Sequence, residues 1–441
     1  MFLPPIVAPA AVARTGYVFE ERYMWHDPGS IKGSVWMEPT EFWENVHTKR
    51  RLHNLLAVSG LLDHLSPLRA RLATTAELQR FHTPRYVEQI QRMSKDGGGD
   101  AGEHVPFSAG GFEIASLSAG GVLVAVEAVL QAKVRNAYCL VRPPGHHAEA
   151  DRGRGFCLFN NIALAALYAR GVQGVTSEGA PLRVQRIAIV DYDVHHGNGT
   201  QDCFWNDPDC LFLSLHQHHN YPQDSGDVHD IGGPGAEGTT INLPLPPGSG
   251  SGAYRHAFAQ VVLPALHRFK PDLILVSSGF DASFADPMAS MMLSSEDYRY
   301  MSGALMGAAE QLCGGRVVFA HEGGYSKDYV PFCGLAVIET LSGVRTAVED
   351  IRLKKIGNWG YQGLQTHQRQ AVDTVAALHG LTGGVEVEGW GVEALVGVEG
   401  AATVEMEATQ AQELAVKAQM QALLKLIKGP AQKRALVDSL L

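Results

Sequence analysis

Short apolar runs alternate with longer amphipathic or apolar stretches along most of the chain. Runs at 136–142, 186–193, 210–216, 240–245, 272–281 and 316–324 have the length of strands, and several, such as IAIVDYD and LILVSSGFD, are apolar almost without interruption. A strand with one wet face alternates apolar and polar residues. Unbroken apolar runs instead mark strands covered on both faces, as in a parallel sheet sandwiched by helices. The stretches at 112–134, 159–170, 253–269, 295–313 and 328–343 predict those helices. The fold class is therefore α/β with a parallel sheet, and ligands of open sheets of this kind bind beyond the carboxyl ends of the strands.

Ionisable residues collect at that end. One predicted strand runs into Asp191-Tyr192-Asp193-Val194-His195-His196-Gly197 and another into Gly279-Phe280-Asp281. A third runs into His321-Glu322-Gly323-Gly324-Tyr325 and a fourth into Arg142-Pro143-Pro144-Gly145-His146-His147. Asp193 and His195 are two residues apart at a strand end, so their side chains point the same way. With Asp281 they make a mixed N/O set suited to a divalent metal that keeps an open coordination position. Pro143-Pro144-Gly145 is a stiff turn able to hold two imidazoles, and Asp191 is the candidate to orient one of them as a general base. Tyr325 follows two glycines, which let its phenol project as a donor to a developing oxyanion. Phe156, after Gly155, and Tyr221, before Pro222, are candidate walls of a narrow aromatic channel. The GxGxxG match at 233–238 precedes a strand instead of joining a strand to a helix, so it does not read as a dinucleotide site. His216, His218, His219 and His229 read as a solvated histidine-rich loop.

Composition bounds this picture. The 441 residues, 45% hydrophobic and 19% charged, are enough for a large core and too apolar for wholesale disorder. A net charge of −10 argues against nucleic acid or an anionic membrane as a partner. No apolar run approaches the roughly 18 residues of a membrane span. Residues 1–13 are apolar but lack a basic start and are broken by Pro4, Pro5 and Pro9, so export is not expected. The six cysteines form no CxxC pair and read as free thiols in a reducing cytoplasm. Residues 385–407 carry six glutamates and no basic residue, and 409–428 place Val416, Met420, Leu423, Leu424 and Ile427 at helical spacing. The expected organisation is an N-terminal extension at 1–14, a catalytic domain at 15–375, and an acidic linker with a C-terminal amphipathic helix at 376–441.

The motifs RPPGHHA, GFCLFNN, DYDVHHGNGTQ, SSGFDASFADP and HEGGYS, in this order, resemble those of the zinc-dependent histone deacetylases. The similarity is greatest to class II and to the bacterial histone-deacetylase-like amidohydrolases, and it spans roughly residues 15–344. It implies the arginase/deacetylase fold, an open eight-stranded parallel sheet flanked by helices, as a single catalytic domain with a C-terminal extension. It implies Asp193, His195 and Asp281 as zinc ligands, His147 as general base and acid, His146 as its electrostatic partner, Asp191 as the carboxylate holding His146, and Tyr325 as the catalytic tyrosine. Asn198 stands where class I members carry the aspartate that pairs with the base. Gly155 and Phe156 match one wall of an acyl-lysine tunnel, Tyr221 replaces the usual phenylalanine opposite, and Gly323 and Met288 complete the substrate-binding set. Polyamine-selective members carry a glutamate at the position of Met288, which offers no charge to a cationic amine. Asp100 and Glu103 are candidates for contacting the substrate backbone at the rim. A structural potassium site is implied at Asp191, Asp193, His195, Ser214 and Leu215, and a second monovalent site near Phe204.

The expected activity is hydrolysis of the amide of N-acetyl-lysine or a similar N-acyl amine, with acetylpolyamines and other small amides as the alternative. Expected partners are acetylated protein, peptide or small N-acyl amine, with neither nucleic acid nor membrane. The oligomeric state is left open, a homo-oligomer included.

Overall fold

The structure, a computed structural model, describes residues 15–29, 37–39, 42–176 and 178–381. Among them, eight strands form one parallel sheet: β1 (Gly16–Val18), β2 (Ser66–Leu68), β3 (Ala137–Cys139), β4 (Ile187–Asp191), β5 (Cys210–Gln217), β6 (Thr240–Leu245), β7 (Leu273–Ser278) and β8 (Val317–His321). Their spatial order is β6-β5-β4-β7-β8-β3-β1-β2. Every ladder is parallel, and Asp191 lies level with Ser214 of β5 on one side and Ser277 of β7 on the other.

The unbroken apolar runs have the predicted cause. Along β4 and β7, Ala188, Val190, Ile274 and Val276 face one core, and Ile187, Ile189, Leu273 and Leu275 face a second core across the sheet. The first core is closed by helices Val46–Val58, Ser295–Cys313, Val330–Ser342 and Thr366–Leu378, and the second by Pro84–Lys95, Gly111–Leu130 and Asn161–Ala169. The stretch predicted as a helix at 253–269 runs continuously from Ser251 to Phe269, with one π-helical turn at Phe258–Val262 just ahead of Pro264. Proline has no N–H to give to the i−4 carbonyl, and a widened turn is one way to absorb that loss.

Several expectations shift. The helix Gly111–Leu130 is 20 residues long and apolar enough to cross a membrane by length and composition, where the sequence showed no such run. Its Ser-Leu-Ser-Ala-Gly-Gly centre interrupts the apolar pattern, and most of the helix is buried in the second core. His216 is buried on β5 instead of solvated, with Nδ1 at Ser214 Oγ and Nε2 at the Gly226 carbonyl, while His218, His219 and His229 are exposed. Helix Thr366–Leu378 continues past the expected domain boundary at 375, because Val372, Val375 and Ala376 are buried in the first core. All six cysteines are free. The expected extension at 1–14, the acidic linker at 385–407 and the amphipathic helix at 409–428 lie outside the described residues.

The chain leaves β4 toward β5 on one side and leaves β7 toward β8 on the other. Neighbouring parallel strands whose connections depart in opposite directions open a crevice at their carboxyl ends.

Candidate active site

Four strand ends supply this crevice. Asp193 and His195 follow β4, Asp281 follows β7, Tyr325 follows β8, and the His146-His147 pair follows β3. All six side chains are buried.

The ligand atoms of Asp193, His195 and Asp281 lie within 4.8 Å of one another. His195 Nδ1 is 3.1 Å from Asp193 Oδ1 and 3.1 Å from Asp281 Oδ2. Ligands about 2 Å from a tetrahedral metal sit about 3.3 Å apart, so these separations suit one small cation. Backbone donors fix both carboxylates: Val194 N–H reaches Asp281 Oδ1 at 2.8 Å, and Gly323 N–H reaches Asp193 Oδ2 at 2.8 Å. A Cβ on Gly323 would overlap Asp281 Oδ2, so the chain passes this close only as glycine. Burial opposes a charge on His195, but hydrogen bonds to Asp193 and Asp281 raise its pKa to about 10. Three buried carboxylates, Asp191 among them, thus surround the site and draw positive charge onto both His146 and His195, and a cation at the triangle would take the place of the His195 proton. A divalent cation is what that charge set calls for.

The two adjacent histidines differ in state. His146 Nδ1 donates to Asp191 Oδ2 at 2.8 Å. Burial disfavours its charge, yet Asp191 and Asp193 overcome that and raise its pKa to about 10. His147 is pushed well below the usual histidine range by burial and by the charges of His146 and His195. Its Nδ1 lies 2.8 Å from Asn198 Oδ1. An amide oxygen only accepts, so Nδ1 carries the proton and Nε2 presents a lone pair. Two neighbouring imidazoles, one a cation and one a neutral base, are the pattern of a divided acid–base pair.

Tyr325 is pinned through its backbone N–H to Asp286 Oδ2 at 2.7 Å, and its phenol makes no hydrogen bond among the described residues. Burial and the carboxylates of Asp281 and Asp193 hold its pKa well above 10, so it remains a donor. Its ring meets that of His195 edge-on at 6.4 Å and that of Phe156 at 6.0 Å. Phe156 is half-buried with φ of 66°, and Gly155 before it has φ of 51°. Glycine at 155 is required twice over, since a Cβ there would also overlap the His147 ring. Tyr221 packs edge-on against His147 at 5.1 Å, with the Arg154 guanidinium 5.9 Å from its ring centroid. Met288 is half-buried, with its backbone N–H on Asp286 Oδ1 and its carbonyl on Asn220. Ser214 and Leu215 are buried on β5, with Ser214 level with Asp191. Phe204 is buried in the second core at the end of the helix Asn198–Phe204. Of the two rim candidates, Asp100 turns onto its own loop, accepting from the Gly102 and Val105 N–H groups, while Glu103 pairs with Arg154 at 3.0 Å.

Other residues of the site escape a reading by sequence. Glu322 accepts the backbone N–H groups of Gly145 and His146 at 2.6 and 3.2 Å, fixing the turn that carries both histidines. It lies inside a quoted motif, yet nothing in the motif says what it holds. Asp286, which places Tyr325, and Glu149, which touches Asn198, are equally silent.

Comparison with known proteins agrees with this geometry. Residues 43–341 match the family model described as the histone deacetylase domain. The chain is 44% identical over 380 residues to a histone deacetylase-like amidohydrolase of Pseudomonas aeruginosa, covering 83% of this chain and 97% of that one. It is 46% identical over 220 residues to the chloroplastic histone deacetylase 10 of Oryza sativa subsp. japonica, 49% of this chain and 47% of that one. Among solved structures, the HDA15 HD domain superposes with a TM-score of 0.72 at 31% identity, over 84% of this chain and 95% of that one. With its eight-stranded parallel sheet and paired histidines facing a His/Asp triangle, the chain belongs to the histone deacetylase family, whose members are deacetylases and related amidohydrolases.

Proposed function

We propose that the chain is a zinc-dependent deacetylase that hydrolyses the amide of N-acetyl-lysine, or of a similar N-acyl amine, to acetate and the free amine. The observation that carries this reading is the state of His147: a neutral imidazole, protonated at Nδ1 by its contact with Asn198, beside the Asp193/His195/Asp281 triangle. Three protein ligands of mixed N/O character with room for a fourth are the donor set of catalytic zinc. When bound there, zinc supplies Lewis acidity at the amide carbonyl and lowers the pKa of water.

The chain's own groups do the rest. His147 Nε2 takes a proton from the attacking water and later returns it to the leaving nitrogen as the C–N bond breaks. His146, held as a cation by Asp191, offsets negative charge developing at the carbonyl oxygen. The Tyr325 phenol donates a hydrogen bond to that oxygen. Gly155, Phe156, Tyr221, Gly323 and Met288 flank the acyl-amine and exclude bulk water. Asp191, Asp193, His195, Ser214 and Leu215 would hold potassium, whose charge would help to fix the end of β4.

A second substrate class, acetylated polyamines, is favoured by one feature. A rim cleft of about 300 Å³ beside Tyr221 carries Glu103 and Asp224, and since Arg154 in the same cleft pairs with both, one carboxylate charge is left in surplus to meet a cationic amine. The test is a kcat/KM panel of acetyl-lysine peptide, acetylspermidine, acetylputrescine and an arylalkyl acetamide, with metal analysis and chelator controls. Preference for the peptide, lost with bound zinc and restored by it, is expected. Turnover unaffected by stripping the metal would overturn the reading.

A further inference from the structure

A chain of contacts runs from the rim of the site to the base. Arg154 is almost fully buried and pairs with Glu103 at 3.0 Å, Asp224 at 2.9 Å and Glu149 at 3.2 Å. Arg152 binds the other oxygen of Glu149 at 2.7 Å. The Glu149 oxygen shared with Arg154, Oε1, accepts from Asn198 Nδ2 at 2.9 Å. The far side of that amide, Asn198 Oδ1, meets His147 Nδ1 at 2.8 Å. The Glu149 backbone is anchored as well: its carbonyl accepts from His82 Nδ1 and its N–H reaches the Arg152 carbonyl.

We infer that Glu149 is a positioning residue which, through Asn198, fixes the tautomer of His147. This rests on His147 being the base. An amide side chain can sit either way round. As found, Asn198 turns its oxygen to His147, which puts the imidazole proton on Nδ1 and leaves Nε2 able to accept. Flipped, its NH₂ would face His147 and stabilise the opposite tautomer, with the proton on Nε2 and no base. The second bond of Asn198 Nδ2, to the His147 carbonyl, is longer at 3.2 Å. Glu149 supplies the stronger preference, because flipping would drive the amide oxygen against a carboxylate that two arginines hold in place. Asp224, on a loop, and Glu103, in the short ladder that pairs Gly102–Glu103 with Gly153–Arg154, meet at Arg154, so the rim is tied to the same setting.

The test is a cycle of variants assayed with acetyl-lysine peptide. Glu149→Leu is expected to lower kcat about tenfold or more with KM little changed, and Glu149→Gln, which keeps an accepting oxygen, to recover most of it. In an Asn198→Asp background the two carboxylate oxygens are equivalent and need no orienting, so Glu149→Leu is expected to cost less than about twofold. Equal losses in both backgrounds, or no loss in the wild-type background, would overturn the inference. Independently of turnover, long-range proton–nitrogen spectra of histidine-labelled protein read the tautomer. Wild type should show His147 protonated at Nδ1, and Glu149→Leu a mixture; an unchanged Nδ1–H form would overturn it too. The parent reading fails separately, by near-normal turnover of His147→Ala in the same assay.

Discussion

At the scale of single residues, the ring centroids of His146 and His147 are 3.9 Å apart, and Asp191 on one side and Asn198 on the other decide which of the two is charged. Replacing either His147 by Ala or Tyr325 by Phe leaves the buried framework in place and removes one proton carrier or one oxyanion donor. Losses in kcat of about 10²–10⁴ and 10²–10³, respectively, are expected, with unchanged circular dichroism. Near-normal turnover by either would contradict the assigned roles. His82 offers a test of burial alone. Its Nδ1 donates to the Glu149 carbonyl and its Nε2 accepts from Asn160 N–H, so it is fully satisfied as a neutral ring, and burial lowers its pKa to about 4. The unfolded chain takes up this proton near pH 6.5, before the native state does, so the contribution is complete above that pH and declines as pH falls toward 4. Its ring nitrogen shifts should stay constant from pH 8 to 5.5; a titration centred near 6.5 would refute the burial argument. The meeting of Asp193, His195 and Asp281 was legible in the sequence because these residues end recognisable strands. Glu322 and Glu149 were not, because a carboxylate gains its role only when the fold brings it to an amide or backbone N–H as distant as 177 positions along the chain.

Elements were legible in proportion to their burial and length. Strands β4, β5, β7 and β8 contribute to both cores and stood out as apolar runs, as did the edge strand β6 on the first core alone, whereas β1 and β2 are three residues each and carry no pattern at all. Predicted strands also overran their ladders, to Asp193 where β4 ends at Asp191 and to Asp281 where β7 ends at Ser278. The chain stays buried there without pairing, since those segments bend into the site. The turn after β8, like that after β7, passes against the site carboxylates with no room for a Cβ. Gly323→Ala should place a methyl group among the carboxylates of Asp193 and Asp281 and weaken metal binding by about 10–100-fold, with the sheet intact. Equilibrium metal titration checks this, and wild-type affinity would mean that the β8 turn yields more readily than its packing suggests.

Across the whole molecule, the division of labour follows the sheet. Two cores separated by eight strands make the framework rigid, and every group of the site sits at one edge of that framework. The net charge of −10 is a property of the full chain and does not describe this edge, where His146 and the expected cation offset the buried carboxylates and Arg154 those of the rim. The opposite edge, where the strands begin, bears none of the chemistry. β4 alone, at five residues, sets the two edges about 16 Å apart, and the short hairpin that precedes it, Gly174–Val175 paired with Pro181–Leu182, exposes Glu178, Gly179 and Ala180 at its turn. That turn is therefore a handle. A single cysteine introduced at Ala180 and tethered to a solid support would present the catalytic mouth outward, and immobilised protein oriented in this way should keep solution turnover, while attachment beside Tyr221 should block substrate entry.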